Sequence, residues 1–147
     1  MSRSAKSVSD PSANLLASLT LFADLDTPQL EAIDHTFEEV AFAPGERILR
    51  QGISGSNFYV IVEGEAAVRI DGTERATLAR GDFFGEMSLL LGEAPSADIV
   101  ARTALRCLML PGPDMRGFLL RYPPVMYRML GTMALRLRAA NRSSDGG

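Results

Sequence analysis

The pattern of hydrophobic and polar positions divides the chain into a helical start, a central region of short strands and a helical end. Residues 15–21 are predicted to form a short helix. Thr27-Pro28 predicts the start of a second helix, because a capping hydroxyl is followed by proline at the first helical position. The serine-rich residues 1–12 are too polar to bury a core, so we expect a disordered tail there.

The central region, from Phe37 to Leu110, alternates in short segments separated by Gly, Pro and Asp. Turn residues at this spacing predict an antiparallel barrel or sandwich. Asp71-Gly72 predicts a hairpin turn between two of the segments. The strongest strand candidates are residues 58–62, 66–70 and 104–110.

The helical period returns after Pro111. One short helix is predicted over residues 113–121 and, after the break at Pro123-Pro124, a longer one over about 125–140. Residues 142–147 are predicted to form a second tail. Apolar residues recur along the long helix at alternating spacings of four and three, as in an a/d seam, and the sequence leaves open whether this stripe is core or a dimer interface. The stripe consists of Met126, Leu130, Met133, Leu137 and Ala140.

Length and composition fit one globular domain, predicted over residues 13–141, since 147 residues are 46% hydrophobic and 22% charged. A net charge of −3 argues against DNA or RNA as a direct partner. No apolar stretch is long enough to span a membrane. The single cysteine, Cys107, and the absence of a signal-peptide pattern predict a cytoplasmic protein with a buried thiol.

Catalytic and metal chemistry are not predicted. His35 is the only histidine, and one cysteine cannot provide a zinc site. Neither a nucleophile elbow nor a Walker-type phosphate loop is present. We therefore expect neither an enzyme nor a bound cofactor or metal.

One stretch does carry candidate chemistry: residues 81–91, GDFFGEMSLLL, followed by residues 94–101, APSADIVA. A strand here is predicted to deliver Gly85 to the first turn of a short helix. Backbone N–H groups at a helix start attract anions, and glycine permits close approach. The carboxylate of Glu86 is suited to accept hydrogen bonds from ribose hydroxyls.

With this stretch, several motifs in order resemble the cyclic-nucleotide-binding domain family, which includes catabolite-activator-type regulators, protein kinase A regulatory subunits and nucleotide-gated channels. The resemblance covers residues 15–141 and implies a mainly β fold with flanking helices, an antiparallel, jelly-roll-like β-roll (double-stranded β-helix). The motifs that carry it are Leu21-Phe22, residues 42–46 (FAPGE), Gln51-Gly52, residues 58–61 (FYVI), Gly64, Gly81-Asp82 and residues 84–90 (FGEMSLL).

The resemblance implies a ligand site for cAMP or cGMP, in which Gly85 and Glu86 bind the ribose and N–H groups of Met87 and Ser88 help hold the cyclic phosphate. In bacterial relatives the final helix pairs with its copy and contacts the adenine at positions that here are Ala140 and Asn141; the nearby Thr132 has a weaker claim. The full set of predicted ligand-binding residues is Phe84, Gly85, Glu86, Met87, Ser88, Pro95, Ser96, Ala97 and Asn141.

The family arginine that pairs with the phosphate is missing. Its position, nine residues after Glu86, is occupied by Pro95, and no arginine occurs between Arg80 and Arg102. Proline offers neither the charge-assisted bond of arginine nor an N–H group. Asp98 adds a negative charge whose direction strand alternation leaves undecided. Arg80 or a partner chain's arginine would be the alternative phosphate partner.

Two functions remain open at this stage. The first is a regulatory sensor that binds a cyclic nucleotide weakly, or a related ligand with less need of that arginine, and signals through its last helix, as a homodimer and with a possible effector protein. The second is a degenerate β-roll that binds nothing small and acts in dimerisation or protein docking. A transcription regulator would require a helix-turn-helix after the final helix, so it is expected only if this chain is part of a longer product.

Overall fold

The computed structural model describes residues 15–53 and 55–146, with side chains described as far as Arg142. The predicted tail at 1–12 lies outside the described residues. The chain enters through a helical turn at residues 15–17 and a 3-10 turn at Thr20–Phe22, followed by helix α1, Thr27–Thr36. The capping residue is Asp26 and not Thr27, because the Asp26 carboxylate accepts from the Gln29 N–H and the Gln29 side chain accepts from the Asp26 N–H.

Within the described residues, eight antiparallel strands form two four-stranded sheets, which confirms the predicted β-roll with flanking helices. One sheet has the order β1-β8-β3-β6 and the other β2-β7-β4-β5. The strands are β1 Glu38–Phe42, β2 Arg47–Leu49, β3 Phe58–Glu63, β4 Ala66–Ile70, β5 Thr73–Leu78, β6 Phe83–Phe84, β7 Asp98–Ala101 and β8 Leu105–Leu110.

The hairpin predicted at Asp71-Gly72 joins β4 to β5. Both residues have positive φ, 53° at Asp71 and 80° at Gly72, which matches the right-handed twist of the flanking strands. The Gln51 side chain donates to the Asp71 carboxylate at 3.0 Å and accepts from its N–H at 2.9 Å. This hairpin is therefore tied to the segment that follows β2.

Two hydrophobic clusters stabilise the domain. The inter-sheet core lies between the sheets and includes Tyr59, Ile61, Phe84, Ile99 and the buried thiol of Cys107. The helix-side core packs the other face of the first sheet against the helices and is rich in edge-to-face aromatic pairs. The strand β6 carries one residue into each core, since Phe83 belongs to the helix-side core and Phe84 to the inter-sheet core.

Three more α-helices follow in the part of the chain that the structure describes: α2 Glu86–Leu91, α3 Met115–Arg121 and α4 Pro123–Gly146. The last helix is longer than predicted, so the expectation of a tail at 142–147 is corrected for residues 142–146, which are helical. The stripe predicted on α4 is divided between the packed and the exposed sides of the helix. Met126 and Met133 pack against the helix-side core, whereas Leu130 and Leu137 are 59% and 62% exposed.

Candidate functional site

Gly85 lies between β6 and α2 in a conformation that requires glycine. Its φ is +92°, a left-handed value that other residues adopt at a cost. A Cβ atom placed there would lie 2.2 Å from the carbonyl oxygen of Asn57. Asn57 is itself fixed, because its side chain accepts from the Gly112 N–H at 2.9 Å and the next residue, Phe58, is fully buried. The glycine thus brings the start of α2 against the segment that leads into β3.

Glu86, the first residue of α2, is a buried carboxylate with only 4% of its surface exposed. Burial raises the pKa of the Glu86 carboxyl, and the nearby positive charge of Arg136 opposes that shift. The Arg136 guanidinium lies 3.3 Å from the Glu86 Oε2 atom and donates to the Phe83 carbonyl at 2.8 Å. It also lies over the Phe83 ring, 4.5 Å from the ring centroid.

This contact connects the start of α2 to the final helix, and Arg136 is not among the ligand-site residues predicted from the sequence. Arg136 follows Met129 and Met133 on the packed stripe of α4, at spacings of four and three. Arg136 is a charged residue on a helix stripe that otherwise packs against the core. A cation held against the core needs a partner, so this pattern could have predicted the contact with an acidic residue.

The other predicted residues of this segment have different surroundings. The Phe84 ring is 3% exposed and stacks on Tyr59 at a centroid distance of 4.9 Å, so it serves the inter-sheet core. The Met87 side chain is half exposed. The Ser88 hydroxyl is buried and forms a 2.5 Å hydrogen bond with the hydroxyl of Ser56. The Ser88 side chain is therefore already occupied by a local contact.

Pro95 is buried, and its carbonyl oxygen accepts from the Gly52 N–H at 2.9 Å. Ser96 is exposed and Ala97 half-buried. The structure therefore places a packed pyrrolidine ring where the resemblance implied an arginine. The hydrogen bond from Gly52 to Pro95 therefore attaches the loop before β7 to the residues that follow β2.

Asp98 begins β7 and provides a second attachment. Its Oδ1 atom accepts from the Gln51 N–H at 2.7 Å, and its Oδ2 atom lies 4.0 Å from the Arg47 guanidinium. It is paired with Arg69 across β4, whereas the next pair, Ile99 with Val68, belongs to the inter-sheet core. Because side chains alternate along a strand, Asp98 and Arg69 lie on the other face of this sheet. The Asp98 side chain therefore points away from the inter-sheet core, a direction that the sequence left undecided.

The remaining candidates lie apart from Glu86. Asn141 is exposed on α4, about 7.5 Å along the helix axis beyond Arg136 at 1.5 Å per residue. Arg80 donates to the Val62 carbonyl and the Ser18 hydroxyl. A cavity of about 180 Å³ includes Arg80 and Thr132 in its lining, together with Thr20, Leu21, Gly81, Asp82, Phe83 and Arg128. Thr132 and Arg80 thus line a cavity whose lining does not include Glu86.

Neither a metal centre nor a membrane span is found in the part of the chain that the structure describes. No group of three or more His, Cys, Asp or Glu residues there is arranged to hold a metal ion. None of the described helices is long and apolar enough to cross a membrane. The buried Cys107 thiol has a pKa raised to about 12 by burial, which is unsuited to nucleophilic chemistry.

The fold and the glycine–glutamate helix start are those of a regulatory ligand-binding β-roll. A family model described as the cyclic nucleotide-binding domain matches residues 39–122, more than half of the chain. The chain belongs to the cyclic nucleotide-binding domain family.

Solved structures share the architecture. The catabolite activator protein of Thermus thermophilus is 32% identical, with a TM-score of 0.74, over 85% of this chain and 61% of that protein. The regulatory subunit of a cAMP-independent protein kinase A from Trypanosoma brucei is 24% identical, with a TM-score of 0.77, over 92% of this chain and 49% of that protein. A triple-substituted form of that subunit, in which one substitution introduces an arginine, is described as bound to cAMP in its A site. That form is 29% identical, with a TM-score of 0.69, over 81% of this chain and 44% of the other. The chain spans between 44% and 61% of the length of these proteins.

Proposed function

We propose that this chain is a cytoplasmic regulatory sensor, not an enzyme, that binds cAMP or cGMP weakly and signals through α4. The observation that carries the proposal is the buried Glu86 carboxylate at a glycine-dependent helix start, joined to the final helix by Arg136. A buried carboxylate is costly unless it has a task or a partner. Here its partner is Arg136 on the final helix, so a change at Glu86 would reach α4 directly.

Weak binding follows from Pro95. An arginine–phosphate bond that is charge-assisted contributes roughly 1.5–3 kcal/mol, so its loss lowers affinity roughly 10- to 150-fold. Pro95 offers a phosphate no hydrogen-bond donor, because its ring nitrogen carries no N–H group and its carbonyl oxygen only accepts. One of the three substitutions in the Trypanosoma subunit that is described as bound to cAMP introduces an arginine, which agrees with this interpretation.

Signalling through α4 is supported by the contacts of Arg136. This side chain bonds to Glu86 and to the Phe83 carbonyl, so it touches both sides of Gly85. A ligand hydroxyl that donates to the Glu86 carboxylate competes with the 3.3 Å contact to Arg136. Ligand binding would then change the docking of α4, which is the differential contact that a two-state regulator requires.

The proposed dimer uses a different stripe of α4 from the one that the sequence suggested. Tyr127, Leu130, Ala134 and Leu137 recur at spacings of three, four and three and are all exposed. This is an a/d pattern on the side of the helix away from the core, and a two-fold axis would pair it with its copy. Tyr127, Leu130 and Leu137 are 79%, 59% and 62% exposed, so they form an apolar patch along the helix, and such patches mark interaction surfaces.

Sedimentation of the Leu137→Arg variant tests the dimer. We expect a wild-type dimer that Leu137→Arg converts to monomer, because the change places charge in the seam. Leu120→Arg is the matched control, since Leu120 is 60% exposed on α3 and outside the stripe. Met133 is a poorer probe because it packs against the core. A wild type that stays monomeric at all accessible concentrations contradicts this part of the proposal.

Protein docking without a small ligand is the second candidate function. It is favoured by the exposed apolar side chains of α2, namely Met87, Leu90 and Leu91. Calorimetric titration with cAMP and cGMP separates the two. The sensor predicts measurable affinity in the range of tens of micromolar or weaker, if an intact site of this family has micromolar affinity. Glu86→Ala should abolish the binding and the exposed Glu93→Ala should not; no heat with either nucleotide favours docking.

A further inference from the structure

We infer that the cavity beside Gly81 binds a small zwitterion of the α-amino acid class, and that the bound molecule holds α4 in its docked position. The volume of this cavity is about 180 Å³, below the roughly 300–1,000 Å³ of sites for drug-sized ligands, so its ligand is smaller than a nucleotide. Glu86 is not among the lining residues, so the cavity is separate from the site proposed for the cyclic nucleotide.

Three parts of the chain meet at this cavity. The entry turn contributes residues 20–21, the connection from β5 to β6 contributes residues 80–83, and α4 contributes two side chains one turn apart. Leu21 and Phe83 are 3% and 2% exposed and provide an apolar wall. The cavity therefore combines an apolar wall with a few polar and charged groups, which is the composition typical of a small-molecule site.

Two opposite charges in the cavity wall lack an ion-pair partner. The Arg80 guanidinium donates to the Val62 carbonyl and the Ser18 hydroxyl, both of which are neutral. The Asp82 carboxylate accepts from the Ala79 N–H through Oδ2. Neither side chain forms a salt bridge with another of the described residues, so the positive and the negative charge are both available to a ligand.

These two charges favour a ligand that carries both signs. The third charged residue of the wall, Arg128, is already paired with Asp24 at 2.6 Å. A simple anion would be attracted by Arg80 but repelled by Asp82, and a simple cation would meet the reverse. An amino acid can form a charge-assisted hydrogen bond with each group. The Thr132 hydroxyl in the same wall can serve either end of the ligand, since a hydroxyl both donates and accepts.

The position of the cavity connects its occupation to α4. Thr132 lies four residues before Arg136, so the two side chains are on the same face of the helix. Arg136 donates to the Phe83 carbonyl, and Phe83 is also in the cavity wall. A ligand that bridges Thr132 and Asp82 therefore stabilises the arrangement in which Arg136 contacts Glu86. This step rests on the proposed function: because cAMP is proposed to weaken that contact, the two ligands should oppose each other's binding.

Free glycine, acetate and methylamine are the matched probes, because acetate lacks the ammonium group and methylamine lacks the carboxylate. A titration followed by the amide NMR signals of Gly81 and Thr132 should show glycine binding at least about tenfold more tightly than either of the others. Asp82→Asn keeps an acceptor for the Ala79 N–H and should weaken glycine by about tenfold without weakening acetate. Asp114→Asn, at an exposed position outside the cavity, is the control and should leave both affinities unchanged.

The outcomes separate this site from the proposed function. Acetate that binds as tightly as glycine would overturn the zwitterion, and glycine that causes no saturable shift would overturn the site itself. A cAMP titration in saturating glycine should then show cAMP binding weakened by roughly fivefold or more, and an unchanged cAMP affinity would overturn the effect on α4. If cAMP binds neither with nor without glycine, the proposed function fails, whereas saturable glycine binding would still support the zwitterion site.

Discussion

Replacement of Gly85 by alanine tests whether the helix start is built as the structure describes. The added methyl group would have to occupy a residue whose φ is +92°, which costs roughly 1–2 kcal/mol for a non-glycine residue. It would also lie 2.2 Å from the Asn57 carbonyl oxygen, a distance that requires a shift of about 1 Å in one of the two segments. Forced repacking of this kind costs typically about 1–3 kcal/mol more.

Gly81→Ala is the matched control, because Gly81 has φ +90° but nothing within 4 Å of an added Cβ atom. We therefore expect Gly85→Ala to lower the free energy of unfolding by about 2–5 kcal/mol and Gly81→Ala by about 1–2 kcal/mol. Urea unfolding followed by circular dichroism measures both. Equal losses in the two variants would refute the close contact between Gly85 and Asn57.

Three further predictions concern chemistry and charge. The Cys107 thiol should react with a thiol reagent in the native protein only as fast as the protein unfolds, because it is buried and its pKa is about 12; rapid stoichiometric labelling would contradict this. Because the folded-state pKa of Glu86 is raised above 4.5, its contribution to stability is present at low pH and is lost as the pH rises through the folded pKa. Urea unfolding at several pH values should therefore show Glu86→Gln gaining stability relative to wild type as the pH rises from 4.5, and a relative loss would count against this sign. With a net charge of −3, the chain should show no sequence-selective retention of DNA in a mobility-shift assay at low salt.

Much of the β-roll could be predicted from the sequence because its strands carry local information. The strands Phe58–Glu63, Ala66–Ile70 and Leu105–Leu110 lie within a residue of the predicted segments, since alternation and turn residues are read within a few positions. The hairpin at Asp71-Gly72 was predictable for the same reason.

The last helix was harder, because spacing alone does not identify which stripe packs. On α4 two neighbouring stripes satisfy an a/d pattern, and the predicted seam mixed them: Met133 belongs to the packed stripe and Leu137 to the exposed one. The end of the helix was also misjudged, since polar residues after Ala140 suggested a tail although they continue the helix to Gly146. The position of α4 against the core determines which of the two stripes is packed, and a local pattern does not contain that information.

The candidate site was predictable as a motif but not as an arrangement. Gly85 and Glu86 are adjacent in the chain, so their role at a helix start could be read locally. Arg136 is 50 positions away from Glu86, and the contact depends on how α4 crosses the domain. The direction of Asp98 likewise depends on a bond to the Gln51 N–H, 47 positions earlier in the chain.

The central claim is that Pro95 limits the affinity of a site that otherwise retains its ribose partner. The most direct test is calorimetric titration of cAMP into wild type, Pro95→Arg and the double variant Pro95→Arg/Glu86→Ala. The account predicts a gain of at least about tenfold in Pro95→Arg, from a restored charge-assisted bond and a restored N–H group, and the loss of most of that gain in the double variant. Submicromolar binding of cAMP by the wild type, or a Pro95→Arg variant that folds and binds no more tightly than wild type, would contradict it.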